Sequence, residues 1–115
     1  MSDSELNILR GSLDLLILKA LSWGARHGYA VAEWIQQATD EELLVEEGTL
    51  YPAIHRLDRR GWIRAEWGIS ENNRKAKFYS LTPAGRAQLR TEAPLWHRYA
   101  EAVGKALRST SPGVA

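Results

Sequence analysis

Apolar positions first recur at helical spacing, then alternate, then return to helical spacing. Leu9, Leu13, Leu16, Ile17, Ala20 and Leu21 follow a helical repeat, and Leu15 and Leu18 widen the apolar surface beyond one stripe. This predicts a first helix over about 12–22 with an extension back to Glu5, capped by Ser12 and ended by Trp23-Gly24. Two apolar faces call for two neighbours: the local core, and a second element or a second chain. Val31, Trp34, Ile35 and Ala38 share one side of a second helix over 28–38, which Gly28 opens. An acidic connection follows, in which Leu43-Leu44-Val45 reads as a short extended piece. A third helix covers EEGTLYPAIHRLDRRG, residues 46–61, with Gly61 where a left-handed residue is favoured after a helix.

The period then changes. Ile63, Ala65 and Trp67 alternate with Trp62, Arg64 and Glu66, and AKFYSL (76–81) alternates again with Tyr79 and Leu81 on one face. The stretch between them is polar and rich in turn residues, so the two runs form a hairpin with a basic tip. A hairpin alone is marginal in water and must pack on the helices. Thr82-Pro83 is a strong helix start, a threonine cap followed by proline at the first helical position. The helix it opens runs to about Leu107, with Leu89, Ala93, Trp96, Tyr99 or Ala100, Val103 and Leu107 along one stripe. Pro94 predicts a kink or break near Leu89–Arg90. Three helices, a hairpin and a long helix make a mainly α, α+β chain with the layout of a winged helix-turn-helix. The expected division is a winged unit over 1–81, a C-terminal helix over 82–108 and a disordered tail over 109–115.

The third helix has two distinct sides. Placed at about 100° per residue, Leu50, Ala53, Ile54 and Leu57 form the core side. Gly48, Pro52, His55, Arg56 and Arg59 fall opposite, with Thr49 and Tyr51 on the flanks. Hydrogen-bond donors together with small residues suit a helix that approaches DNA closely. Pro52 points outward within the first two turns, so the hydrogen bond it forfeits costs little. Glu46 and Glu47 sit at the positive end of the helix dipole, as structural acids or as readers of a cytosine amino group.

Charge sharpens this. The chain of 115 residues carries a net charge of only +1. Residues 40–47 nevertheless hold five acids and no base, whereas residues 56–77 hold seven bases against three acids. A local basic region on a near-neutral chain fits specific contact with an anionic partner. Arg74, Lys75 and Lys77 at the hairpin tip are placed for phosphate or minor-groove contact. A solvated helix face would look similar. The acidic segment and low net charge also fit a winged-helix module that binds protein and not DNA; the basic tip argues for DNA.

Other chemistry is absent from the pattern. The absence of cysteine removes disulfides and thiolate metal sites, and fits a reducing compartment. His27, His55 and His97 have no metal-ligand spacing, and His27 reads as a capping or turn residue. There is no G-x-S-x-G elbow and no Gly-rich phosphate loop, so no enzyme and no cofactor are expected. No apolar run approaches the ~18 residues of a membrane span, and the Leu13–Leu18 cluster contains Asp14 and is followed by Lys19. A cytoplasmic protein is the expectation.

HGYAVAEWI, EEGTLYPAIHRLDRRGWI and RKAKFYSLTPAGR, in this order and spacing, resemble the PadR family of bacterial transcriptional regulators over about residues 9–108. The resemblance implies a homodimeric repressor of nearby genes that binds an operator in double-stranded DNA. It implies DNA contacts from Thr49, Tyr51, Pro52, His55, Arg56 and Arg59, with Arg74, Lys75 and Lys77 as the wing. It implies a dimer made by the long last helix with the first, through Leu9, Leu13, Leu89, Trp96, Tyr99, Val103 and Leu107. Some members bind planar aromatic ligands between subunits, and Trp96 lies where their stacking tryptophan falls; dimer packing is the other role for it. Two features depart from the common pattern. Glu46-Glu47 stands where Ser-Pro is frequent, and Pro94 lies inside the last helix.

Overall fold

The computed structural model describes residues 3–113, with side chains from residue 11 onward. Helix α1 spans Asp3–Ala20 and continues into a 3₁₀ turn at Leu21–Trp23. The remaining elements are β1 (Arg26–His27), α2 (Gly28–Ala38), α3 (Glu47–Arg59), β2 (Ile63–Ile69), β3 (Lys75–Leu81) and α4 (Pro83–Arg108). Ser12 therefore lies inside α1 and does not cap it. No proline interrupts residues 3–12, and Gly11 has open space around it, so helical backbone runs through the polar segment.

Hydropathy alternation missed β1, because two residues are too few to alternate. It pairs antiparallel with β3, turning the expected hairpin into a three-stranded sheet of order β1-β3-β2. In the wing itself Ala65 faces Tyr79, Trp67 faces Lys77 and Ile69 faces Lys75. His27 joins strand to helix: its backbone belongs to β1, and its Nδ1 accepts from the Ala30 N–H at 3.1 Å, capping α2. The capping role expected for this histidine is what the structure shows.

Leu43-Leu44-Val45 forms no strand, because it finds no partner edge. Asp40 and Glu41 take left-handed backbone (φ 52° and 66°) and turn the chain out of α2. Thr39 Oγ1 donates to the Ile35 carbonyl at 2.8 Å and accepts from the Leu43 N–H at 3.2 Å. Pro94 does not break α4, which continues through it to Arg108. The carbonyl left without its helical donor belongs to Arg90, an exposed position where water can replace the missing bond.

The core draws on α1, the 3₁₀ turn, α2, α3, β2 and β3, and Leu89 of α4 packs against it. Leu13, Ile17, Leu18 and Leu21 meet Val31 and Ile35 of α2, Leu50, Ala53, Ile54 and Leu57 of α3, and Ile63, Tyr79 and Leu81 of the sheet. Burial pushes the Tyr79 phenol above its usual 10.0, and the neighbouring Tyr51 and Asp58 charges push the same way.

A capped turn fixes the start of α4. Gly61 takes φ 75° after α3, as its position predicted. Thr82 Oγ1 donates to the Gly61 carbonyl at 2.6 Å and accepts from the Gly85 N–H at 3.0 Å, while the Thr82 N–H donates to the Trp62 carbonyl at 3.1 Å. Gly85 is buried against this turn, and a Cβ there would overlap the Trp62 carbonyl oxygen.

Gly85→Ala is expected to lower stability by about 2 kcal/mol, because the obstacle is backbone and cannot rotate away. The urea midpoint should fall with an unchanged slope; a wild-type midpoint would contradict the close approach. For Tyr79, the folded chain holds the phenolic proton more tightly than the unfolded chain. Stability is then complete below the ordinary pKa of 10.0 and declines as pH rises through it toward the raised value. Melts from neutral pH to about pH 11 should show this decline in the wild type and a shallower one in Tyr79→Phe; equal slopes would exclude Tyr79 as its source.

Candidate nucleic-acid interface

Helix α3 begins without a side-chain cap. Glu46 occupies the cap position with extended backbone and no hydrogen bond from its carboxylate, and Glu47 lies in the first turn. The helix is held instead by its buried side, Leu50, Ala53, Ile54 and Leu57. That burial leaves Pro52, His55 and Arg59 exposed on the outer side, as expected, with Thr49 half-buried beside them.

Two residues placed on this surface from sequence sit differently. Arg56 is turned toward α1, where its Nη2 donates to Asp14 Oδ1 at 2.7 Å. Its angular position lies between the outer and core sectors, and its long side chain reaches the neighbouring helix. Both partners are about three-quarters covered, with side-chain exposures of 26% and 22%. Arg56 therefore locks α3 against α1 and is not a free outer donor. Tyr51 is half-buried and lies over Gly28, where any Cβ would come within 2.6 Å of its hydroxyl oxygen. It joins α3 to the start of α2.

Beside the start of α3, a cleft of about 470 Å³ is lined by Tyr29, Glu33, Gln36, Glu46, Glu47 and Tyr51, among others. Its three carboxylates make this end of α3 repel phosphate. The wing has the opposite character. Arg74, Lys75 and Lys77 are all exposed, around a tip that Asn73 turns with φ 58°. The Ser70 N–H donates to the Arg74 carbonyl at 2.8 Å and closes that tip. Trp67, read from sequence as part of the inner face with Ile63 and Ala65, is 62% exposed because the wing extends past the helices. The Lys75 and Lys77 ammonium groups lie 5.1 and 5.6 Å from its ring centre. Its pairing with Lys77 across the hairpin was the sequence signal available for this. Arg60 turns away and stacks on Trp62 at 5.0 Å.

The residues expected at a dimer contact divide into two groups. Leu13 is completely buried in the chain's own core, which corrects its assignment: of α1's apolar faces, the one carrying Leu13 is used internally. Leu89 is half-covered by the same core. Leu9 has a side chain outside the described residues. Trp96, Tyr99, Val103 and Leu107 are exposed along α4, together with Leu95. Trp96 also lines a groove of about 360 Å³ with Leu15, Leu18, Trp62 and Tyr99. Among the described residues no three His, Asp or Glu side chains gather as metal ligands, and no helix is long and apolar enough to cross a membrane.

Comparison with known proteins agrees with this architecture. Residues 17–91 match the model of the transcriptional regulator PadR-like family. The transcriptional regulator Rv3488 of Mycobacterium tuberculosis is 37% identical over 65 residues, 56% of this chain and 47% of that protein. Among solved structures, a transcriptional regulator from Clostridium thermocellum superposes with a TM-score of 0.76 at 30% identity, covering 86% of this chain and 96% of that one. A PadR family transcriptional regulator from Eggerthella lenta superposes with a TM-score of 0.72 at 31% identity, covering 93% and 92%.

The Asp14–Arg56 pair should contribute about 1 kcal/mol, as a partly exposed ion pair does. Denaturant melts of Asp14→Ala, Arg56→Ala and the double variant should show the double costing less than the sum of the singles. Simple additivity would mean that the two side chains do not support each other.

Proposed function

Because the chain belongs to the PadR-like family of transcriptional regulators, we propose that it is a homodimeric repressor that binds a pseudo-palindromic operator in double-stranded DNA. The observation that carries this reading is the exposed side of α3, with Pro52, His55 and Arg59, standing beside a wing whose tip presents Arg74, Lys75 and Lys77. Thr49 and Tyr51 flank that side, and Tyr51 contributes chiefly by seating α3 on α2. Base edges would be read by α3 in the major groove while the wing cations contact phosphate. The acidic cleft at the start of α3 confines phosphate contact to the wing side and lowers non-specific attraction.

The homodimer is supported by the uncovered apolar stripe of α4, where Tyr99 is 69% and Leu107 81% exposed. A second copy would cover this stripe through a two-fold axis and place two α3 helices about one DNA turn apart. The groove beside Trp96 supports a further role, release from DNA by a small planar aromatic effector stacked on that ring.

Titration of the protein with DNA from upstream of its own gene and its neighbours tests the reading. Binding should have a stoichiometry of two chains per site and weaken steeply with salt. Arg59→Ala combined with Lys77→Ala should weaken it about tenfold or more. Salt-insensitive binding, one chain per site, or no loss in the double variant would refute it. Tight capture of a protein partner without DNA binding would favour the protein-interaction module instead.

A further inference from the structure

Lysines at a wing tip ordinarily move freely, and each loses rotamer freedom on meeting a phosphate. Here two of them do not lie free. Trp67 and Lys77 are directly opposed across the β2–β3 ladder, and Lys75 is the next residue on the same face of β3. Both ammonium groups lie within cation–π range of the one indole, at 5.1 and 5.6 Å. Two like charges on one face of β3 repel each other, and the negative ring face presented from the neighbouring strand β2 offsets that repulsion. The ring is 62% exposed and has no place in the core. Further in along the same sheet face stands Tyr79, buried in the same core cluster as Leu50, Ile54 and Leu57 of α3. Trp67 and its two lysines therefore stand on the α3 side of the wing, the side from which a duplex lying along α3 would approach.

We infer that Trp67 is a positioning residue for DNA binding: its ring holds Lys75 and Lys77 on the α3 side of the wing, so that both reach the phosphate backbone already ordered. The inference rests on the DNA-binding reading above. An ordered cation gives up less side-chain entropy on binding, so the ring contributes affinity through the lysines and not through a phosphate contact of its own. Only an aromatic ring does this; apolar bulk at the same position does not.

The test compares wild type, Trp67→Phe, Trp67→Leu and Lys75→Ala/Lys77→Ala, with Trp67→Leu also placed in the double-lysine background. Proton NMR of the free proteins should show upfield-shifted side-chain methylenes of Lys75 and Lys77 in wild type and Trp67→Phe, and ordinary positions in Trp67→Leu. In operator titrations, Trp67→Leu should bind about three- to tenfold more weakly, and Trp67→Phe should keep most of the affinity. Trp67→Leu should add nothing in the double-lysine background, because the ring acts through those lysines. Wild-type affinity in Trp67→Leu, unshifted lysine methylenes in wild type, or full additivity with the lysine variants would each overturn the assignment. Failure of the DNA-binding reading shows differently, as absence of salt-dependent binding in the wild type itself.

Discussion

Leu50, Ala53, Ile54 and Leu57 bury one side of α3 against α1 and the sheet, and nearly everything functional depends on the rotation this imposes on the helix. A turn of one residue position, about 100°, would bury Tyr51 or Arg56 and expose a leucine. The Asp14–Arg56 pair guards the same setting from the flank, where a charged side chain has to find a partner or water. Pro52 and the uncapped glutamates at the start of α3 are tolerated because tertiary burial, not local helix stability, holds it in place.

The wing is stabilised at its base and exposed at its tip, and both properties follow from its length. Near the helices, Ile63, Tyr79 and Leu81 enter the core, and β1 adds a third strand that pairs with β3. Beyond Ala65 no helix remains to cover the inner face. Trp67 is left in water, and the ammonium groups of Lys75 and Lys77 lie within cation–π range of its ring. The sheet thus converts a core face into a cationic aromatic surface within a few residues. With carboxylates crowding the start of α3 and cations clustered at the wing tip, a net charge of +1 conceals two local fields of opposite sign.

Much of this was legible along the chain, for local reasons. The spans of α2 and α3, the left-handed Gly61, the Thr82 cap and the inward Tyr79–Leu81 face each follow from periodicity or from a residue with one physical use. The histidine cap was legible too, since a polar acceptor directly before Gly28 has little else to do. Misreadings arose where the outcome depended on a distant partner. Ser12 looked like a cap because the apolar repeat begins beside it, yet helix runs on through polar residues. Leu43–Val45 is apolar enough for a strand but meets no edge.

By itself the sequence determined the order of the four helices and the hairpin, the core sides of α2 and α3, the two-sided character of α3 and the cationic hairpin tip, because these depend on the spacing of apolar side chains and on residues such as Gly61 and Pro83. Only the tertiary structure decided what each exposed or flanking side chain does. It turned Arg56 inward to Asp14, placed Leu13 in the chain's own core, added β1 to the sheet and left Trp67 beneath two lysines. Each of these is a meeting of residues far apart in sequence or on different strands, and periodicity carries no information about which long side chain will find which partner.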